Sequence, residues 1–282
     1  MTEITPQMLK TLRERTGVGM SKCKEALTAA SGDMELAIEN LRKAGIATAV
    51  KKEGRETKEG VIIASESAQS LVLVEVNCET DFVVKNERFQ EFVTVLVKEA
   101  ALMPSCLVSE FLLHKYPKDP SLTIDEFRAT LVQALGENIQ VRRVEFFPKK
   151  KNASLALYSH AGGKLVTLVE IEGSSAEEAL AKEIAMHVAA ESPEYLSPEE
   201  VPSRIIAHEK EIGRAQVQNK PANVIDKIVE GKLKAYFDQV CLLNQHFVKE
   251  PSLTISELVA RRGKEVGKTL KLTQFLRWKV GQ

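Results

Sequence analysis

The chain has no net charge: 39 lysines and arginines face 39 aspartates and glutamates across 282 residues. Without a global field to draw it to nucleic acid or an anionic membrane, its surface suits a protein partner. Cysteine is scarce, and Cys23, Cys78, Cys106 and Cys241 are far apart with no CxxC pair. That argues against a zinc cluster or a dithiol redox pair and for reduced thiols in a cytosol. No apolar run approaches the roughly 18 residues of a membrane span. The opening Met1-Thr-Glu-Ile-Thr-Pro6 carries neither the basic region nor the apolar stretch of a signal peptide. A cytoplasmic protein is expected, neither exported nor membrane-spanning.

Catalytic signatures are missing as well. His114, His160, His187, His208 and His246 follow no HExxH or metal-ligand spacing, and no GxSxG or cysteine–histidine signature occurs. Gly267-Lys268-Thr269, with Gly263 upstream, is one residue short of a phosphate-binding loop, and no strand precedes it. The expectation is a protein without a cofactor, a metal or enzyme chemistry.

What is present is a chain long enough for about two domains with a real core. Residues 5 to 45 read as three short helices. Thr5-Pro6 opens the first, Gly17-Val18-Gly19 interrupts, Ser21 is a cap for the second, Asp33 caps the third and Gly45 sits where it should end. Met34, Ala37, Ile38 and Leu41 supply one apolar face, so 1–46 forms a small bundle. The mixed-charge stretch 47–59, with Val50 its one large apolar residue, reads as a solvated linker.

Beyond Gly60 the chain is duplicated. Leu71-Val-Leu-Val-Glu-Val76 matches Val166-Thr-Leu-Val-Glu-Ile171, each preceded by a β-prone run, Val61–Ala64 and Leu155–Tyr158. Each hairpin leads to a helix ending in an alanine pair, and Ser175 with Glu178 spells a capping box in the second copy. Pro120-Ser-Leu-Thr-Ile returns as Pro251-Ser-Leu-Thr-Ile, and Gly136-Glu-Asn-Ile-Gln-Val141 as Gly267-Lys-Thr-Leu-Lys-Leu272. The expectation is an α+β fold of two related halves, each strand, strand, helix, helix, strand. The first covers 60–147 and the second 148–190 with 251–282. Between alanine pair and Pro-Ser-Leu-Thr the second copy holds about 42 more residues (61 against 19), so 191–250 is read as an inserted helical arm and return helix. The first copy holds about six extra residues beside Glu79 to Val84. Loops that depart from a duplicated scaffold are where function is grafted, which singles out Thr80, Asp81, Phe82 and Val83.

Two stretches carry a resemblance to a known family: Leu12-Arg-Glu-Arg-Thr16-Gly17-Val-Gly19-Met20-Ser-Lys22-Cys23-Lys-Glu-Ala26-Leu27, and Glu75-Val-Asn77-Cys-Glu79-Thr80-Asp81-Phe82-Val83. Through them the chain resembles, essentially end to end, the elongation factor Ts family. Val84 departs from the small residue more common there. The resemblance implies a ubiquitin-associated-like three-helix module, a core of two α+β halves, a helical hairpin (coiled-coil) arm and a C-terminal module. It further implies a guanine nucleotide exchange factor for elongation factor Tu, in which Thr80, Asp81, Phe82 and Val83 dislodge the partner's Mg²⁺. Val18, Gly19, Met20, Lys22 and Cys23 would meet the partner's GTPase domain, and the second half would reach another of its domains. Two other readings stand beside it. The three-helix module by itself suits a ubiquitin-binding adaptor, and the segment 261–282, with seven Lys or Arg against one Glu, suits an RNA-binding translation factor.

Overall fold

Thr5 caps helix α1 (Pro6–Thr16) by accepting from the Met8 amide at 3.2 Å, and Pro6 fills the first turn, where no amide partner is lost. Gly17 closes it at φ 73°, a left-handed conformation that glycine adopts without strain. Helix α2 (Met20–Ala29) starts from Gly19; Ser21 caps nothing, its hydroxyl donating instead to Glu25. Asp33 opens α3 (Met34–Lys52) by accepting from the Leu36 amide at 3.0 Å. Leu12, Leu27, Ala37 and Leu41 lie in the core of this bundle.

The structure is a computed structural model in which residues 4–217 and 221–282 are described. It corrects the sequence reading of α3, which does not end at Gly45 but runs on, so that 47–52 of the expected linker are helical. Gly45 is buried against a later helix, where a β-carbon would stand 3.2 Å from Gln133 Oε1 and 3.3 Å from the Ala129 carbonyl oxygen. Ala49, one turn on, is buried in the core of the first half. Small residues make this contact, so the segment carries too little hydrophobicity to look like a packed helix.

Two compact units result, one of residues up to Pro148 with Gly162–Lys164 and Lys279–Gln282, the other of Lys149–Ala161 and Leu165–Trp278. In the first, β1 (Glu59–Glu66) and β2 (Ser70–Cys78) form an antiparallel hairpin with Val61 opposite Val76. The chain then passes through α4 (Asp81–Val84), α5 (Glu87–Leu102), α6 (Val108–Leu113), the small hairpin β3 (Lys115–Tyr116) and β4 (Asp119–Thr123), and α7 (Ile124–Leu135). It returns in β5 (Ile139–Pro148) to complete the sheet β1-β2-β5. Phe89, Phe92, Val93 and Leu96 of α5 are fully buried with Val72, Val74 and Val76 of β2. Removing any one of those phenylalanine rings would cost about 3–5 kcal/mol.

The second unit repeats the plan with β6 (Ala153–His160), β7 (Leu165–Glu172), α8 (Glu178–Glu191), then α9 (Ser203–Ala215) and α10 (Ala222–Val240), β8 (His246–Phe247), β9 (Glu250–Thr254), α11 (Ile255–Val266) and β10 (Lys271–Lys279). Its sheet, β6-β7-β10, again has the second strand in the middle. The Pro-Ser-Leu-Thr segments are β4 and β9, an extra hairpin in each half beyond the expected order. Each leads into a helix through the same capping box, Thr123 with Glu126 and Thr254 with Glu257. Each of those helices ends on a left-handed glycine, Gly136 at φ 80° and Gly267 at φ 67°, so Gly267 is a helix terminator and not part of a phosphate loop. The capping box read at Ser175 does not form: α8 has no side-chain cap, and the Glu177 amide donates to Ser154 Oγ at 2.8 Å.

Helices α9 and α10 pack on each other as a hairpin. Gly213 faces Val229, and Arg214 reaches Asp226 at 3.7 Å. Val201, Ile205, Ile206, Tyr236, Phe237 and Val240 form a separate apolar cluster at the hairpin's base. The connection at 218–220, like the first three residues, lies outside the described residues. Among the described residues, no helix is long and apolar enough to cross a membrane.

Candidate functional site

The loop between β2 and α5 is held from both sides. Eight residues join these elements, against five between β7 and α8, and α5 is 16 residues long against 14 for α8. The extra length of the first copy is therefore shared: one residue lies in the strand, β2 having nine against eight in β7, three lie in the connection, where α4 forms, and two lie in the helix. Thr80 caps α4 by accepting from the Val83 amide at 3.5 Å. Its hydroxyl in turn donates to Glu137 Oε1 at 2.6 Å, while Glu137 Oε2 accepts from the Glu79 amide (3.1 Å) and the Thr80 amide (2.9 Å). The reciprocal bond runs from the Asn138 amide to Glu79 Oε1 at 2.6 Å, and Arg55 Nη1 lies 3.5 Å from the same oxygen. Gln90 Nε2 ties off the far end by donating to the Val84 carbonyl at 2.5 Å.

On this anchored turn the four singled-out side chains point to different fates. Val83 is buried in the core and Thr80 is spent on the cap. Phe82 is 79% exposed. A phenylalanine so exposed gains nothing for folding, yet full burial elsewhere would release roughly 2–3 kcal/mol. Asp81 carries its carboxylate 2.7 Å from Lys85 Nζ, and the hydrogen bond and charge of Lys85 hold its pKa below the usual aspartate range. It is anionic at neutral pH. Cys78, which leads into the loop, is no nucleophile: burial, reinforced by the charge of Glu137, pushes its thiol up to about 12.

Of the residues expected in the first module, Val18 and Cys23 are buried in the bundle, where the Cys23 thiol donates to the Val18 carbonyl at 3.3 Å. They shape the α1–α2 turn and are not on its surface. Gly19, Met20 and Lys22 are exposed there, Met20 as an apolar side chain on an open surface. Arg88, at the start of α5, lies over the same turn. Its Nη2 is 3.5 Å from the Glu14 carbonyl, and a β-carbon on Gly17 would fall 1.3 Å from Nη1. The loop and the turn are thus bridged by one helix start.

Glu137, Asn138 and Arg88 were not singled out by the sequence reading. The duplication held a signal for the first: after the same helix-ending glycine one copy has Glu137 and the other Lys268, whose Nζ donates to Ser174 Oγ at 3.0 Å. Both residues reach back to the loop that follows the middle strand, with opposite charge. Part of the basic segment 261–282 is engaged internally. Arg261 pairs with Glu250 through two bonds of 2.9 and 2.8 Å, Arg262 with Glu177 at 2.7 Å, and Trp278 is buried. Among the described residues no group of His, Cys, Asp and Glu is placed to hold a metal ion.

The family model described as Elongation factor TS matches residues 79–282, beginning at the loop itself. The chain is 58% identical over 282 residues to Elongation factor Ts of Protochlamydia amoebophila, covering all of both chains. It is 47% identical over 281 residues to that of Chlamydia pneumoniae and 46% to that of Chlamydia muridarum, again across the full length of each.

Proposed function

The chain belongs to the elongation factor Ts family, whose members serve nucleotide exchange in translation elongation, and from that premise we propose that it releases GDP from elongation factor Tu in the cytoplasm, with Asp81 and Phe82 as the working contacts. Phe82 enters the GTPase domain as a wedge beside the nucleotide site. The turn Thr80 to Val83 follows it and displaces the partner groups that hold Mg²⁺. That ion bridges the nucleotide phosphates to the protein, so its loss leaves their charge poorly neutralised and GDP departs. Coupling free energy is reciprocal, so incoming nucleotide expels the factor in turn, and no covalent bond is made or broken. Gly19, Met20 and Lys22 extend the contact on the GTPase domain, and the second half meets a further domain of the partner.

The observation that carries this reading is the exposure of Phe82 on a turn whose backbone is fixed by Glu137. A side chain left in water on a rigid support is preorganised for burial elsewhere. The test is Phe82→Ala, assayed by release of a fluorescent GDP from elongation factor Tu. Folding should change by less than about 0.5 kcal/mol, while loss of the wedge costs about 2 kcal/mol, a deficit of more than tenfold at subsaturating factor. Release at the unmutated rate, or a variant that no longer folds, would refute the wedge.

A further inference from the structure

We propose that Glu137 is a positioning residue for nucleotide exchange, holding the Phe82 turn in its partner-ready geometry from a site 55 residues further along the chain. The inference rests on the functional reading above and extends it to a residue that makes the wedge rigid.

Three observations converge on the Glu137 carboxylate. Both of its oxygens are committed to the turn, one accepting from the Glu79 and Thr80 amides and the other from the Thr80 hydroxyl. The amide that follows it, on Asn138, donates back to Glu79, so each strand of this crossing holds the other. The amides it accepts from belong to residues immediately preceding α4, a helix of four residues too short to be stable by its own hydrogen bonds. Without an anion there, these donors would turn to water and the cap would loosen.

The duplication supplies the comparison. In the second half the corresponding position is Lys268, bonded to Ser174, and the connection from β7 runs to α8 without an intervening helix. The carboxylate occurs in the copy with the extra turn and exposed phenylalanine, where bare amides need an acceptor.

A loop that is only fractionally in its binding geometry weakens apparent affinity by that fraction. The experiment is GDP release from elongation factor Tu over a range of factor concentrations, using the full chain, Glu137→Ala, Glu137→Gln and, as a control in the second half, Lys268→Ala. Amide hydrogen exchange at residues 79–84 of the free proteins is measured alongside. Glu137→Ala is expected to raise the half-maximal concentration on the order of tenfold, with the rate at saturation largely retained, and to speed exchange in this turn. Glutamine keeps one acceptor oxygen, so Glu137→Gln should fall between. Lys268→Ala should leave exchange in this turn unchanged. Unaltered half-saturation and exchange protection in Glu137→Ala, or in Glu137→Gln if the alanine variant does not fold, overturns the proposal. An unmutated protein that fails to release GDP defeats instead the function on which it rests, and the exchange measurement then still decides whether Glu137 orders the turn.

Discussion

Asp81 and Lys85 close an ion pair of 2.7 Å across α4, the short helix that presents Phe82. The bond holds the Asp81 carboxyl below its usual range, the hydrogen bond from Lys85 acting first and its charge second. A carboxylate with a lowered pKa contributes stability above its ordinary value of about 3.9 and loses it as pH falls through the lowered one. The charge pattern of the turn is therefore constant at neutral pH and changes only in acid. By NMR, Asp81 should titrate below free aspartate, and Lys85→Met should raise its midpoint, the hydrogen bond and charge of Lys85 being the largest causes of the lowering. Exchange by Lys85→Met at subsaturating factor should rise, because the carboxylate has lost an internal competitor for the partner's donors. A fall would make Lys85 itself a contact.

The helical hairpin is predicted to be separable from the core, provided both of its legs are cut above the base. Val229 of α10 is buried against Gly213 of α9, so deleting 200–222 would remove α9 and leave that face of α10 without its partner. Replacing 208–234 by a short glycine-serine turn keeps the base cluster of Val201, Ile205, Tyr236 and Phe237. Thermal unfolding of the shortened protein should remain a single cooperative transition within several degrees of the parent, and GDP release should persist in part. A broad or absent transition would show that the hairpin supports the core.

What the sequence disclosed was local, and what it concealed was set by distant partners. Thr5 and Asp33 act within four residues of themselves, and the structure forms both caps. The duplicated strands were legible because a middle strand buried on both faces is a continuous apolar run. Gly45 misled because its reason lies on α7, at Ala129 and Gln133. The turn Thr80 to Val83 was legible as a departure from the repeat, but its apolar residues Phe82, Val83 and Val84 are alike in composition. Only the packing of α4 sends Val83 inward and Phe82 outward. Glu137 was hidden for a similar reason, since a carboxylate after a helix-ending glycine reads as solvated until its contacts to Glu79 and Thr80 are known.

Glu75, in the middle of β2, is the strongest test of how the first unit is held together. Its side chain has no exposure, Oε2 accepts from Arg143 Nε at 2.6 Å, and Oε1 accepts from the Gly281 amide at 3.1 Å. The same position of β7 holds Glu170, 5% exposed and bonded to Lys150 and Thr273 at 2.8 Å each. Each sheet thus encloses a carboxylate whose desolvation costs several kcal/mol and is offset only by its donors. Arg143→Ala should strand the charge and lower stability by about 3 kcal/mol in denaturant unfolding. Glu75→Gln keeps the shape without the charge and should cost about 1 kcal/mol, in the range of an ordinary hydrogen bond. Combining Arg143→Met with Glu75→Leu removes charge and donor together and should be milder than Arg143→Ala alone, because no buried ion is left without compensation. Were Arg143→Ala to cost less than about 0.5 kcal/mol, the level of an unimportant surface change, the carboxylate would not depend on its arginine and this account of the sheet would fail.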